Sequence, residues 1–295
     1  MKIGFIGGSG LYELESELSD VHKQKISTPF GEPSDELVCG IMHGVDVVFL
    51  PRHGRGHKLL PGELNHRANI YAMKTLGLTH ILSLSACGSL REDFKPRDIV
   101  IIDQYVDRTK RSADHTFFGN GIAGHIEFAE PVCPELSQLA YEASKEVLAE
   151  NSSDSDVHMG GTYLNMEGPA FSTRAESNLY CSWGMDIIGM TNMAEAKLAR
   201  EASICYSTLA MVTDYDCWHP SHESVTLDMI IGNLNANTGN AKQITKLVCK
   251  RVSELAGNCR CGNAAKFAVI TDRDAIPEQI KKDLAPIFFK SYQSF

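Results

Sequence analysis

What this sequence lacks narrows its class first. No stretch reaches the ~18 consecutive apolar residues of a membrane-spanning helix, so no membrane contact is expected. The N-terminus, MKIGFIGGSGLYELE, has one lysine and a short apolar body that breaks into glycines. A secretory leader needs a longer apolar stretch and a small-residue cleavage site, so a cytoplasmic location is expected. Positive charge is scarce: 28 Lys and Arg against 37 Asp and Glu give a formal charge of −9. A nucleic-acid partner would need a dense cationic face, so none is expected. A small anion held in one local positive pocket is still compatible with that balance. The Gly-Lys-Ser/Thr of a Walker loop is missing, and Glu13 stands where a G-x-G-x-x-G starting at Gly8 needs its last glycine. With no acidic ribose ligand after a clear second strand either, a nicotinamide-dependent oxidoreductase is disfavoured.

What is present is ordinary globular material. Hydrophobic residues make up 43% and charged residues 22% of 295 residues, enough for a large core and against disorder. Nine cysteines are an odd and fairly high count. Cys39, Cys87 and Cys205 sit singly among apolar residues, where a thiol acts as a small hydrophobe. Cys259-Arg260-Cys261 is the exception. A zinc site would need a second ligand pair at a fixed spacing, and none follows nearby. No metal is therefore expected, and reduced thiols near the surface, or a redox or disulfide role, remain the readings of these two.

Short apolar runs follow one another along the chain: 2–6, 45–50, 81–84, 98–102, 186–190 and 206–212. Such runs suit strands buried on both faces. Helical spacing lies between them at 65–76, 134–148, 193–202 and about 226–255. Pro134 suits a first helical turn, and Asn192 is a candidate N-cap. Strands alternating with helices predict an α/β fold: a single-domain three-layer sandwich with a mixed, mainly parallel central sheet flanked by helices. No repeat or linker divides residues 1–295. The polar stretch 149–156 reads as a surface loop, and about 257–295 as a cysteine-containing loop with a terminal helix near 277–285.

Ligands of open α/β sheets collect beyond the carboxyl ends of strands, and there the chain is distinctive. Gly7-Gly8-Ser9-Gly10 follows the first strand, where glycines can turn N–H groups toward an anion. Pro51-Arg52-His53-Gly54-Arg55-Gly56-His57 follows the second, and an arginine fork suits phosphate. Ser83-Leu84-Ser85-Ala86-Cys87-Gly88-Ser89 belongs to the third, with small residues that permit backbone approach. Convergence of these three ends would build one anion site. Later come Met166 to Ser172, Gly189 to Asn192, and Thr213-Asp214-Tyr215-Asp216. Phe171 can stack on a flat base. Asp214 and Asp216, two apart, point the same way if the chain there is extended.

Taken together, GGSG, FLPRHGRGH, NHRANIYAMK, SACGSL, MEGPAFSTRAES, GMTNMAEAKLARE and TDYDCW resemble, in order and spacing over roughly residues 1–250, the trimeric purine nucleoside phosphorylase superfamily. The nearest branch is the one that acts on 5′-methylthioadenosine. The resemblance implies that fold, a homotrimer or dimer of trimers, and inorganic phosphate as co-substrate without a cofactor. It implies a phosphate site at Ser9, Arg52, His53, Ser85, Ala86 and Thr191. Met190 would lie under the ribose, with Phe171 and Ser172 at the base.

Relatives that prefer 6-oxopurines carry Asn at the position of Asp214, Glu at that of Ser172 and His at that of Leu227. A 6-amino group is a donor and wants the acceptor that a carboxylate supplies, so Asp214 favours adenine. Leu227, Ile230 and Ile231 fall on one helical face, a wall that suits a methylthio group. His125 resembles a residue that closes this 5′ pocket from a neighbouring subunit. Two departures are His66, where relatives usually have Tyr, and Asn192, where they vary.

The implied reaction is phosphorolysis of 5′-methylthioadenosine to adenine and 5-methylthioribose 1-phosphate, a pentosyl transfer in purine and methionine salvage. Asp214 would protonate the leaving base, and Asp216 would orient it or its loop. The alternative is a purine nucleoside phosphorylase acting on adenosine or 6-oxopurine nucleosides. A nucleoside-binding protein without catalysis is a further, weaker reading.

Overall fold

The computed structural model describes residues 1–8, 14–220 and 227–289, with the side chains of 112, 227–231, 234 and 289 outside that description. One sheet of eleven strands organises the chain. Strands β1 (Lys2–Gly7), β4 (Val45–Pro51), β5 (His80–Ser89) and β11 (Cys205–Asp214) are the apolar runs expected as buried strands. They pair in parallel in the order β4–β1–β5–β11. Their carboxyl ends, which carry Gly7, Pro51, Ser85 to Gly88 and Asp214, therefore open on one edge of the sheet.

Around this centre the sheet is mixed, as expected. β2 (Ser19–Gln24) and β3 (Leu37–Met42) extend it antiparallel beyond β4. β5 is long enough to change partners: its first half pairs with β1, and its end with antiparallel β10 (Ile187–Gly189). From β10 the sheet continues in parallel through β9 (Thr162–Asn165) to β7 (Gln104–Asp107). From β11 it continues through β6 (Ile99–Ile101) to β8 (Val157–Met159).

Period-two alternation on the central strands produces the three layers. Ile3, Phe5, Val47, Phe49, Leu82, Leu84, Leu209 and Met211 face α2 (Pro134–Glu150) and α5 (Leu227–Arg251). The intervening Ile6, Val48, Leu50, Ile81 and Tyr206 face α1 (His66–Thr75) and α4 (Asn192–Glu201). Phe5 and Phe49 stack with centroids 5.2 Å apart inside the first layer. The remaining helices are α3 (Arg174–Ser182) and α6 (Glu278–Asp283). The last segment packs Ile276, Leu284, Ile287 and Phe288 on the α1 face, and the Tyr71 hydroxyl donates to the Asp283 carbonyl at 2.7 Å. No described helix is long and apolar enough to cross a membrane.

Two local expectations change. Thr191, not Asn192, caps α4, and Asn192 is its first helical residue, fully buried. Asp216 is not extended: its φ is +48°, and its N–H donates to Asp214 Oδ1 at 2.8 Å. The chain turns there, so the two carboxyls do not project as a ladder.

Candidate active site

The shared carboxyl edge encloses a cavity of about 630 Å³, the size of a small-molecule site. Arg52, His53, Ser85, Ala86, Phe171, Met190, Thr191, Asp214 and Asp216 all line it, and Gly8 stands for the first loop. Arg52 N–H donates to Gly7 O at 2.9 Å, which ties the β4 end to the β1 end. Ser9 lies outside the described residues, as do the side chains of Leu227, Ile230 and Ile231. Their helix nonetheless borders the cavity through Asn235, Thr238 and Ala241.

The guanidinium of Arg52 is buried and turned inward. Its Nε donates to Glu195 Oε1 at 2.5 Å, and Nη2 donates to Ser83 Oγ at 2.6 Å and to Glu195 Oε2 at 3.3 Å. Nη1 donates to the Leu84 carbonyl at 3.1 Å. Four of its five N–H groups are thus used within the protein. Burial opposes its charge, but Glu195 more than compensates and holds it protonated. Glu195 is itself held ionised against its burial by Arg52. Glu195 Oε2 also accepts from Ser83 at 2.7 Å and Tyr206 at 2.9 Å. Asn192 Nδ2 reaches Ser83 at 2.8 Å and the Tyr206 hydroxyl at 3.0 Å. Glu195 is not among the residues expected at the site from the sequence. A signal was there: a carboxylate three and four residues before Leu198 and Ala199, inside the apolar stripe of a helix, needs a partner.

Because Arg52 and Glu195 cancel, net attraction for an anion comes largely from elsewhere. Thr191 makes no side-chain cap to α4 and lines the cavity, so the helix presents its positive end there. His53 lies half-buried beside it, with Nδ1 2.8 Å from the Leu59 carbonyl. That contact assigns the proton to Nδ1 and leaves Nε2 as an acceptor. Burial and the nearby Arg52 charge lower the His53 pKa to about 4. His57 stacks on His53 at 4.4 Å.

At the other end, Asp214 is buried. Its Oδ2 accepts from Thr213 Oγ1 at 2.7 Å, and Oδ1 from the Asp216 N–H. Burial raises its pKa, opposed by these hydrogen bonds, and Asp216 pushes the same way. Burial raises Asp216 too, whose Oδ2 has no partner among the described residues. Gly88 closes this corner: a Cβ there would sit 3.0 Å from Asp214 Oδ1. Gly168, at φ +70°, lets the loop cross Met190, whose Sδ would lie 2.5 Å from an added Cβ.

Two expected residues are not among those that line the cavity. Ser172 Oγ lies 3.9 Å from Met166 Sδ, and its hydroxyl favours the ionised form of Asp216, which does line it. His125 is exposed and also away from it, its N–H bonded to the Ala268 carbonyl at 2.8 Å. His66, as expected, lies in α1, buried edge-on to His115 at 5.9 Å.

The cysteine reading needs correction. Cys205 is not isolated, and the missing second pair for Cys259 and Cys261 is supplied from afar. Cys133 and Cys205 join them, with all four sulfurs within 4.8 Å of one another.

Arg52, the open end of α4 at Thr191, Met190, Phe171 and the buried Asp214 carboxyl thus line one cavity at the carboxyl edge of an α/β sandwich. The phosphorylase superfamily signature matches residues 2–250. The chain is 56% identical to the S-methyl-5'-thioadenosine phosphorylase of Geobacter sulfurreducens, over 96% of each chain. It is 55% identical to that of Gloeobacter violaceus, over 98% of this chain and 95% of that one. A crystal structure of a methylthioadenosine phosphorylase from an Antarctic soil metagenomic library superposes with a TM-score of 0.91 at 47% identity, covering 97% and 98% of the two chains. A mutant adenosine/methylthioadenosine phosphorylase from Schistosoma mansoni, in complex with methylthioadenosine, gives a TM-score of 0.78 at 32% identity, covering 99% of each. The chain belongs to the phosphorylase superfamily and, within it, to the group whose curated members are named S-methyl-5'-thioadenosine phosphorylase.

Proposed function

We propose that this chain cleaves 5′-methylthioadenosine with inorganic phosphate, yielding adenine and 5-methylthioribose 1-phosphate. One observation carries the reading: a buried carboxyl with a raised pKa, Asp214, shares a cavity with the open N-terminal end of α4 and with Arg52 of the Arg52–Glu195 pair. Phosphate binds against Thr191, Ser85, Ala86, His53 and the remaining Arg52 N–H, with Ser9 completing the loop. His53 Nε2 accepts the proton of a protonated phosphate oxygen, so a neutral imidazole suits the role. Positive charge grows on the ribose as the glycosidic bond breaks. The held phosphate is both counter-charge and nucleophile, and its positioning lowers the barrier. A phosphate oxygen bonds to C1′ while the N9 electron pair leaves with the base. Protonated Asp214 gives its proton to N7, and Asp216 holds the turn that aims it.

Met190 supports the ribose and Phe171 stacks on adenine. Ser172, next to Phe171 and interacting with Asp216, would meet the base edge. Leu227, Ile230 and Ile231 precede the cavity-lining part of α5 and would wall the methylthio group. His125 would reach a 5′ pocket only from a neighbouring subunit, which fits a homotrimer or a dimer of trimers. Residues 1–295 act as one domain, cytoplasmic, without a cofactor.

The test is product analysis with 5′-methylthioadenosine, adenosine and inosine, each with and without phosphate. Phosphate-dependent adenine release, fastest from 5′-methylthioadenosine, is expected. Release without phosphate, or a preference for inosine, overturns the reading.

A further inference from the structure

The four-cysteine cluster lies on the layer opposite α4 and takes no part in the site above. Its ligands come from three places. Cys133 is the N-cap of α2, Cys205 opens β11, and Cys259 and Cys261 lie in the loop after α5. Cys133, Cys205 and Cys261 are buried, and Cys259 is half-buried. Glu135, in the first turn of α2, anchors that loop. Its carboxylate accepts from Gly257 N–H at 3.0 Å and Asn258 N–H at 2.8 Å. The Cys133 N–H donates to the Tyr206 carbonyl at 2.7 Å, fixing the other pair to each other. The sulfurs are therefore held by backbone that is itself hydrogen-bonded, not by the reach of mobile loops.

We propose that Cys133, Cys205, Cys259 and Cys261 form a structural site for one tetrahedral, thiolate-binding divalent ion, zinc. At a Zn–S distance of about 2.3 Å, the edges of a tetrahedron are about 3.8 Å. Cys205 and Cys259 are 3.4 Å apart, and every other pair lies within 4.8 Å. Closing onto an ion asks for shifts of well under an ångström. Four soft sulfurs without a carboxylate or imidazole select zinc-like ions over magnesium or calcium. All four positions are protein ligands, the closed arrangement of a structural rather than a catalytic centre. Binding converts four thiols to thiolates and releases their protons to solvent; no redox partner is required. The ion would clip the segment after residue 250, beyond the superfamily match, to α2 and β11.

The full-length protein should be purified without added thiol under argon from zinc-supplemented cells. About one zinc per chain is expected by elemental analysis, released when a mercurial titrates four thiols. Cobalt exchange should produce the intense visible bands of a tetrahedral tetrathiolate. The C259S/C261S variant should lose metal and bands while retaining phosphorolysis. If it does not fold, the mercurial release and cobalt spectrum of the unmodified chain still decide. Metal well below one equivalent overturns the proposal, whether the cysteines are then free thiols or two disulfides located by mass spectrometry before reduction.

Discussion

At Asp214 a carboxyl is surrounded by protein on most sides, accepts two hydrogen bonds and has a second buried carboxyl two residues on. The hydrogen bonds favour the anion, yet burial wins and lifts its pKa. The protonated form is the useful one, so kcat with 5′-methylthioadenosine should fall as pH rises through that raised value. D214N keeps the shape and cannot donate the proton, and should cut turnover by about 10² or more. Single-turnover kinetics check both, and an unchanged rate in D214N would remove this residue from the chemistry. Glu195 makes a different kind of prediction. E195Q leaves the buried Arg52 charge without its counter-ion, a change that typically costs ~3–5 kcal/mol. Denaturant unfolding should show that loss; a variant as stable as the parent would mean that the pair contributes nothing to the fold. Asp214 could be singled out from the sequence because it ends an apolar strand. For Glu195 the sequence signals only that a carboxylate in an apolar helical stripe needs a partner; which partner, Arg52, is set by what faces it.

At the scale of elements, the ends of helices and strands carry the function. α3 begins with a reciprocal cap: Thr173 Oγ1 accepts from Glu176 N–H at 3.2 Å, and Glu176 accepts from Thr173 N–H at 2.8 Å. This Ser/Thr-x-x-Glu signature stands in the sequence at Thr173 to Glu176, yet the helix was not foreseen, because its nine residues show only Ser177 and Tyr180 buried. T173A should cost about 1 kcal/mol, measured by thermal or urea unfolding. Since the cap directly follows Phe171 and Ser172, KM for the nucleoside should rise as well. α4 behaves differently. It was legible from its periodicity, but the sequence suggested that Asn192 caps it. Burial of Asn192 under Ser83, Tyr206 and Thr208 instead leaves the helix end open to the cavity. The short strands β7, β8 and β9 have three or four residues each, too few to establish a period, whereas β10 falls within the apolar run 186–190.

For the whole molecule, stability should follow both ligand and pH. Phosphate, if bound by the folded chain and not the unfolded one, should add ~2.7 kcal/mol of stability at a hundred times its Kd and so raise Tm. Scanning calorimetry against phosphate concentration measures this, with sulfate as a comparison anion. Glu201 sets a pH dependence remote from the site. Burial raises its pKa to about 7, although Phe117 N–H and the Thr116 hydroxyl donate to it at 2.6 and 2.7 Å. Unfolded, a glutamate titrates near ~4.3. Between these values the folded chain binds the extra proton, so stability should fall as pH rises across that window and level off above it. E201Q should flatten that slope in unfolding experiments; an unaltered slope would assign it to other groups.

Residue order alone determined the apolar strands, their alternation with helices, and the loops of glycine, arginine and serine that end them. Those properties follow from local spacing and residue chemistry. Only the tertiary structure decided that β4, β1, β5 and β11 are neighbours in that order and so bring their loops together on one edge. It alone turned the Arg52 fork toward Glu195, and it alone brought Cys133 and Cys205 to Cys259 and Cys261. Contacts between residues far apart in the chain leave no periodic trace in the sequence, because their partners are chosen by how the layers pack.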